Sequence, residues 1–102
     1  MGEFIKAAKL ADIQPGTAKH VELKSTEIAL INLDGTIYAI NDICTHKYCL
    51  LSDGYIEGEN ITCPCHLSVF EIKTGKVLEP PALEDVAVYK VRIEGNDVEV
   101  EL

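Results

Sequence analysis

Two short segments place the strongest constraint on this chain, because each combines cysteine and histidine at close spacing. The first segment, residues 44–46, reads Cys-Thr-His, and the second, residues 63–66, reads Cys-Pro-Cys-His. Two loops that bring these segments side by side would present two thiolates and two imidazoles to one metal site. The remaining residues therefore have to form a scaffold that holds two loops together.

Turn-forming pairs divide the rest of the sequence into short runs rich in Ile, Val, Thr and Tyr. In residues 28–40 an Asp-Gly pair separates two such runs, which predicts a β-hairpin with a tight primed turn. Residues 86–102 form a second predicted hairpin, with one strand over residues 86–93 and a turn at Gly95-Asn96. No window shows a sustained helical period. The sequence predicts an all-β fold of short antiparallel strands in a sandwich or small barrel, with the two loops between strands.

Composition and charge limit the possible functions. The 102 residues are 47% hydrophobic and 25% charged, which is typical of a globular protein, and we expect one domain over residues 1–102. The net charge is −8, which argues against a nucleic-acid partner because phosphate backbones need a basic surface. No apolar run approaches the ~20 residues of a membrane span, and the first residues lack the pattern of a secretory signal. We therefore expect a cytoplasmic protein with no membrane partner.

Several kinds of chemistry could use these cysteines and histidines. A [2Fe–2S] cluster with two cysteines on one iron and two histidines on the other requires this ligand set. A structural zinc ion also accepts two of each, but zinc fingers separate a cysteine pair from a histidine pair. A thioredoxin-like dithiol is disfavoured because one residue, rather than two, separates Cys63 from Cys65. Cys–His nucleophilic catalysis needs an orienting third group, which the sequence does not mark.

The spacing of the two segments, Cys-x-His and Cys-x-x-His, resembles that of the Rieske iron–sulfur proteins, and the resemblance extends over nearly the whole chain. Residues 74–82, Thr-Gly-Lys-Val-Leu-Glu-Pro-Pro-Ala, are similar to the proline loop that covers the cluster in that family. The resemblance implies a Rieske-type [2Fe–2S] cofactor, with Cys44 and Cys63 on the inner iron. It also implies that His46 and His66 bind the outer iron through Nδ1.

The other two cysteines, Cys49 and Cys65, lie at positions where respiratory and photosynthetic Rieske proteins join the two loops by a disulfide. Many small dioxygenase ferredoxins lack this bond. The resemblance favours a disulfide here, because both positions match together. The alternative is a pair of reduced thiols in a reducing cytosol.

Residues near the ligands combine features of two branches of the family. Ser68 matches the serine that bonds a bridging sulfide in high-potential members, whereas Phe70 replaces the tyrosine that accompanies it there. Pro80 and Pro81 belong to the predicted proline loop, and Leu67 stands where the family commonly has glycine. An apolar set at the loops is compatible with either transient docking or packing around a cluster: Tyr48, Leu50, Leu51, Leu67, Pro80 and Pro81.

The resemblance implies a soluble, monomeric one-electron carrier rather than an enzyme. Its donor would be a flavin- or NAD(P)H-linked reductase, and its acceptor a ring-hydroxylating or related oxygenase. Two alternatives stay open, a tightly bound Rieske subunit of a larger oxidoreductase and a structural zinc module. The third histidine, His20, lies in an alternating segment and is expected to face solvent.

Overall fold

A computed structural model describes residues 2–45, 48–65 and 67–102. These residues form eleven β-strands and two single turns of 3₁₀ helix, and the described part of the chain contains no α-helix. The strands are β1 (Phe4–Lys9), β2 (Ala18–Leu23), β3 (Thr26–Leu33), β4 (Thr36–Asn41), β5 (Tyr55–Glu57), β6 (Asn60–Thr62), β7 (Val69–Glu71), β8 (Val77–Glu79), β9 (Val88–Tyr89), β10 (Val91–Glu94) and β11 (Asp97–Glu101). The 3₁₀ turns are Leu10–Asp12 and Leu51–Asp53. The all-β prediction is confirmed. No helix among the described residues has the length and apolarity needed to cross a membrane.

The strands form three antiparallel sheets. The terminal sheet has the order β1-β11-β10, the central sheet β2-β3-β4-β9, and the loop sheet β5-β6-β7-β8. In the terminal sheet β1 pairs with β11, so the first and last strands of the chain are neighbours. The two segments that carry the cysteines precede β5 and β7, so both are connected to the loop sheet.

The predicted hairpin at Asp34-Gly35 is confirmed as β3 and β4, with Leu33 opposite Thr36. Both turn residues have positive φ, 52° for Asp34 and 97° for Gly35, as a primed two-residue turn requires. This turn holds together the two best-buried strands of the central sheet.

The predicted strand over residues 86–93 is wrong as a single element. The structure divides it into β9, which pairs with β4 of the central sheet, and β10, which pairs with β11 of the terminal sheet. The chain passes from one sheet to the other at Lys90, whose carbonyl accepts a hydrogen bond from the Glu101 N–H at 2.9 Å. The turn at Gly95-Asn96 follows as predicted, because Glu94 lies opposite Asp97.

Two hydrophobic cores lie on opposite faces of the central sheet. Ile28 and Leu30 of β3 pack toward the terminal sheet, while Ala29 and Ile31 pack toward the loop sheet. All four are fully buried, because side chains of a strand alternate between the two faces and both faces are covered. The core beside the loop sheet also contains Cys44, Leu51, Ile61, Cys63, Phe70, Ile72, Ala82 and Val86. The packing that stabilises the loop sheet therefore also positions two cysteines.

Candidate metal centre

A buried carboxylate fixes the two ends of the first loop, which connects β4 to β5. Asp42 is fully buried, and its side chain accepts hydrogen bonds from the Ser52 N–H at 2.7 Å and the Ser52 hydroxyl at 2.6 Å. Its backbone carbonyl accepts from the Leu51 N–H at 2.8 Å. Burial raises the pKa of Asp42, and the two bonds from Ser52 oppose that rise. The loop is thus closed by contacts at its base.

The same loop directs Cys44 into the core. The Cys44 N–H donates to the Cys49 carbonyl at 3.0 Å, and Ile43 forms an isolated bridge with Leu50. The Cys44 side chain is 3% exposed. The next residue, Thr45, is exposed and donates its hydroxyl to the Glu84 carbonyl at 2.7 Å, which links the loop to the segment after the prolines.

The second loop, between β6 and β7, is shorter and tighter. The Cys63 N–H donates to the Ser68 carbonyl at 2.7 Å, and the Leu67 N–H donates to the Cys63 carbonyl at 3.1 Å. Cys63 is 1% exposed and lies in the same core as Cys44. Each loop therefore contributes one buried cysteine to a common apolar environment.

Leu67 has φ +63°, in the left-handed region that favours glycine, and its side chain is 61% exposed. Glycine would adopt this conformation more easily, since a Cβ carries a steric cost there.

Leu67→Gly is expected to raise the free energy of unfolding by up to about 1 kcal/mol. Relief of the left-handed strain outweighs the greater entropy of glycine in the unfolded chain. Chemical denaturation followed by circular dichroism measures the change. Leu83→Gly is the matched control, because Leu83 is also exposed but does not have a positive φ, and glycine there should lower stability. A loss of stability in Leu67→Gly equal to that in the control would contradict the strain argument.

The proline segment, residues 74–82, packs on the second loop through Ser68. The fully buried Ser68 hydroxyl oxygen accepts a hydrogen bond from the Ala82 N–H at 3.0 Å. A hydroxyl that accepts one bond still has a hydrogen to donate. Phe70 is fully buried beneath the loops, Pro80 is exposed and Pro81 is half-buried. Ser68 therefore joins the second loop to the segment predicted to cover the cluster.

The remaining two cysteines connect the loops, as the structure contains a disulfide between Cys49 and Cys65 with Cα atoms 6.4 Å apart. The Cys63 Sγ lies within 4.8 Å of both of their sulfurs. His46 and His66 lie outside the described residues, so their assignment as ligands stays a prediction. His20, as expected, is exposed, and it pairs with Glu27 of the adjacent strand.

The described residues fit the inner half of a cluster site. Cys44 and Cys63 come from different loops, both are buried, and both can act as thiolate ligands. A buried anionic sulfur is costly unless a cation compensates its charge. The donor chemistry therefore suits an iron held between two thiolates on the core side of the loops.

The structure decides one question that the sequence left open and adds features that were not predicted. Leu51, placed in the apolar set at the loops, is fully buried, because its 3₁₀ turn packs into the core, so packing rather than docking applies to this residue. Leu83, which was not predicted, is 86% exposed beside the proline segment. The Asp42–Ser52 contact was also missed, and an acidic residue directly after a buried strand was its one sequence signal.

Comparisons with known proteins identify the class. A family model for the Rieske [2Fe–2S] domain matches residues 3–90. The chain is 39% identical over 99 residues to the biphenyl dioxygenase ferredoxin subunit of Pseudomonas sp. (strain KKS102), covering 96% of this chain and 91% of that protein.

Two solved structures have the same fold. The Sphingomonas yanoikuyae B1 ferredoxin matches with a TM-score of 0.92 and 29% identity, over 98% of this chain and 99% of that one. A chain of the complex of reduced oxygenase and oxidized ferredoxin in carbazole 1,9a-dioxygenase matches with a TM-score of 0.89 and 30% identity, over 96% and 92%. Fold and site define an all-β iron–sulfur protein. The chain belongs to the Rieske [2Fe–2S] family, and its cofactor is a Rieske-type [2Fe–2S] cluster.

Proposed function

We propose that this chain is a cytoplasmic one-electron carrier, a single domain over residues 1–102 that passes electrons from a reductase to an oxygenase. The observation that carries this proposal is the orientation of the two loops, which have one side toward the core and the other toward solvent. Cys44 and Cys63 face the core, whereas the described neighbours of the predicted histidine ligands, Thr45, Cys65 and Leu67, are exposed. A cluster held in this way is anchored on one side and accessible to a partner on the other. Relatives named as dioxygenase ferredoxins support the same role.

The proposed ligand roles follow from this orientation of the loops. Cys44 and Cys63 hold the inner iron, and His46 and His66 hold the outer iron. When bound, the cluster accepts and releases one electron, at a potential above that of four-cysteine ferredoxins because neutral imidazoles replace two thiolates. The protein itself supplies the rigid loops, the apolar surroundings on the core side and the route for the electron to the surface.

The surface around the loops is suited to brief contact with redox partners. Tyr48 is 74% exposed, and Leu67 and Leu83 are also largely exposed, which gives apolar contact area near the two loops. The net charge of −8 favours approach to a basic partner surface at low ionic strength. Such encounters are typical of electron-transfer pairs, whose interfaces are small.

Stopped-flow electron transfer tests the proposed function. The purified chain should take one electron from a flavin-linked reductase and lose it to the oxygenase of a ring-hydroxylating system, with visible bleaching and recovery. Size-exclusion chromatography of the native cell extract should show the chain eluting alone. Stoichiometric co-elution with a large oxidoreductase would instead support the tightly bound subunit. A colourless chain that holds zinc would exclude both.

Ser68→Ala is expected to lower the midpoint potential. The Ser68 hydroxyl already accepts a bond from Ala82, so its hydrogen is predicted to bond the cluster, where it would stabilise the more negative reduced state. Protein-film voltammetry measures the change.

Phe70→Tyr is the matched variant, because it would add the hydroxyl present in high-potential relatives and should raise the potential. Loss of stability alone would not shift the two variants in opposite directions. An unchanged potential in Ser68→Ala would show that Ser68 does not bond the cluster.

A further inference from the structure

A short segment after the prolines, residues 82–86, contacts both of the loops that contain the cysteines, and we call it the clasp. Its first residue binds the second loop, because the Ala82 N–H donates to the Ser68 hydroxyl oxygen at 3.0 Å. Its third residue binds the first loop, because the Thr45 hydroxyl donates to the Glu84 carbonyl at 2.7 Å. Two residues of extended chain span at most about 7 Å. The clasp therefore holds the two loops at a short, fixed separation.

The base of the clasp is fixed on the hairpin of β7 and β8, which belongs to the loop sheet. The Val86 N–H donates to the Gly75 carbonyl at 2.8 Å, and the Asp85 carboxylate accepts from the Val77 N–H at 2.9 Å. Gly75 has φ +76°, and a Cβ there would overlap the Val86 carbonyl oxygen, so the two backbones are in close contact. The clasp is thus attached firmly to the side of the second loop. Among the described residues, the Thr45 bond is its one hydrogen bond to the first loop.

The disulfide and the clasp restrain the loops in different ways. The Cys49–Cys65 bond fixes one point on each loop, with the Cα atoms 6.4 Å apart, and a single crosslink still lets the loops rotate about it. The Thr45 bond adds a second fixed point on the first loop, directly after Cys44 in the chain. Two points of attachment fix the orientation of one loop against the other as well as their separation.

We propose that Thr45 is a positioning residue, whose bond to the clasp sets the orientation of the cluster ligands on either side of it. Thr45 separates Cys44 from His46 in the chain, so a displacement of its backbone displaces both neighbours. Groups that orient metal ligands also tune the metal that the ligands hold. This role toward the cluster rests on the proposed function. The link between the two loops does not, because it is defined by the hydrogen bonds of the clasp alone.

Thr45→Val tests the link between the loops, because valine keeps the shape of threonine and lacks its hydroxyl. Hydrogen–deuterium exchange measured by mass spectrometry should be about 10-fold faster in the peptide that contains the bonded Ala82 and Val86 amides. Exchange over β10 and β11 should not change. Thr17→Val is the matched control, since the exposed Thr17 hydroxyl donates to the Gln14 carbonyl at the same 2.7 Å, outside both loops. Equal exchange in Thr45→Val and the wild type would overturn the proposal.

The positioning role has readouts of its own in the chain that holds its cluster. Thr45→Val should shift the g values of the reduced protein in electron paramagnetic resonance. It should also lose iron to a chelator about 10-fold faster than the wild type, the lower end of the effect of groups that orient metal ligands. Thr45→Ser restores the hydroxyl and should return both quantities toward the wild-type values, and Thr17→Val should leave both unchanged. Faster exchange in Thr45→Val with unchanged g values would show a structural contact only and overturn the positioning role.

A third variant covers the case in which Thr45→Val does not fold. Thr45→Ala also removes the hydroxyl, and its comparison with Thr45→Ser then gives the same test. Because Thr45 is exposed, water can bond the freed carbonyl, so the thermal midpoint of each variant should stay close to that of Thr17→Val. Equal exchange rates and g values in Thr45→Ala and Thr45→Ser would overturn the proposal. A wild-type chain without iron and sulfide would overturn the proposed function and the positioning role with it, while the exchange rates would still decide whether the clasp links the loops.

Discussion

Cys44→Ser and Cys63→Ser are each expected to remove nearly all iron and sulfide from the purified chain. The wild-type protein should contain two of each per chain, as the cluster type requires. Both cysteines are buried, and each is the thiol that its loop presents to the core. Serine is a poor substitute because its hydroxyl does not provide the soft thiolate that iron–sulfur clusters select. Iron and acid-labile sulfide analysis, together with visible absorption, measures the loss.

His20→Ala is the control for this prediction, because His20 is exposed and its contact with Glu27 is distant in sequence from either loop. It should keep full iron and sulfide. A Cys44→Ser chain with full iron and sulfide would contradict the proposed ligand set. A wild-type chain with stoichiometric zinc and no sulfide, isolated without oxygen, would contradict the cluster itself.

The parts of the fold that follow from local chemistry could be predicted from the sequence. The hairpin at Asp34-Gly35 is such a case, because the turn needs two residues that tolerate positive φ and the pair supplies them. The break near Lys90 could not be predicted in this way. Residues 86–93 have uniform strand character, and the change of sheet depends on which distant strand, β4 or β11, each half meets.

The site shows the same division between local and distant causes. The spacing of Cys44 with His46 and of Cys63 with His66 indicated the ligand set through a family resemblance, without any knowledge of the fold. The burial of Leu51 and the bonds between Asp42 and Ser52 depend instead on how the first loop folds back on itself. A sequence pattern does not show how the loop folds back. An apolar residue beside a binding loop therefore has the same sequence signal whether it faces solvent or the core.

Replacement of both Cys49 and Cys65 by alanine is expected to lower the free energy of unfolding by about 3 kcal/mol, the chain-entropy value for a loop of this size. The disulfide spans a sequence separation of 16 and joins the two loops that carry the proposed ligands. Without the disulfide, the two loops are no longer joined in the unfolded chain. The midpoint of thermal unfolding should therefore fall by more than about 10 °C. Thermal and guanidinium unfolding measure both quantities.

The oxidised wild-type chain also contains its own control for this prediction. Reduction with a phosphine opens the same bond without changing the sequence, so it should bring the wild-type midpoint close to that of the double-alanine chain. The double-alanine chain should not respond to the reductant. The difference that remains between reduced wild type and variant reports the packing of the two side chains, of which Cys49 is partly buried and Cys65 exposed, so we expect it to be small. Equal midpoints for oxidised wild type and variant would mean that Cys49 and Cys65 are not joined in the purified protein. If the reductant lowered the midpoint of the double-alanine chain, the disulfide that it opens would have to join Cys44 and Cys63.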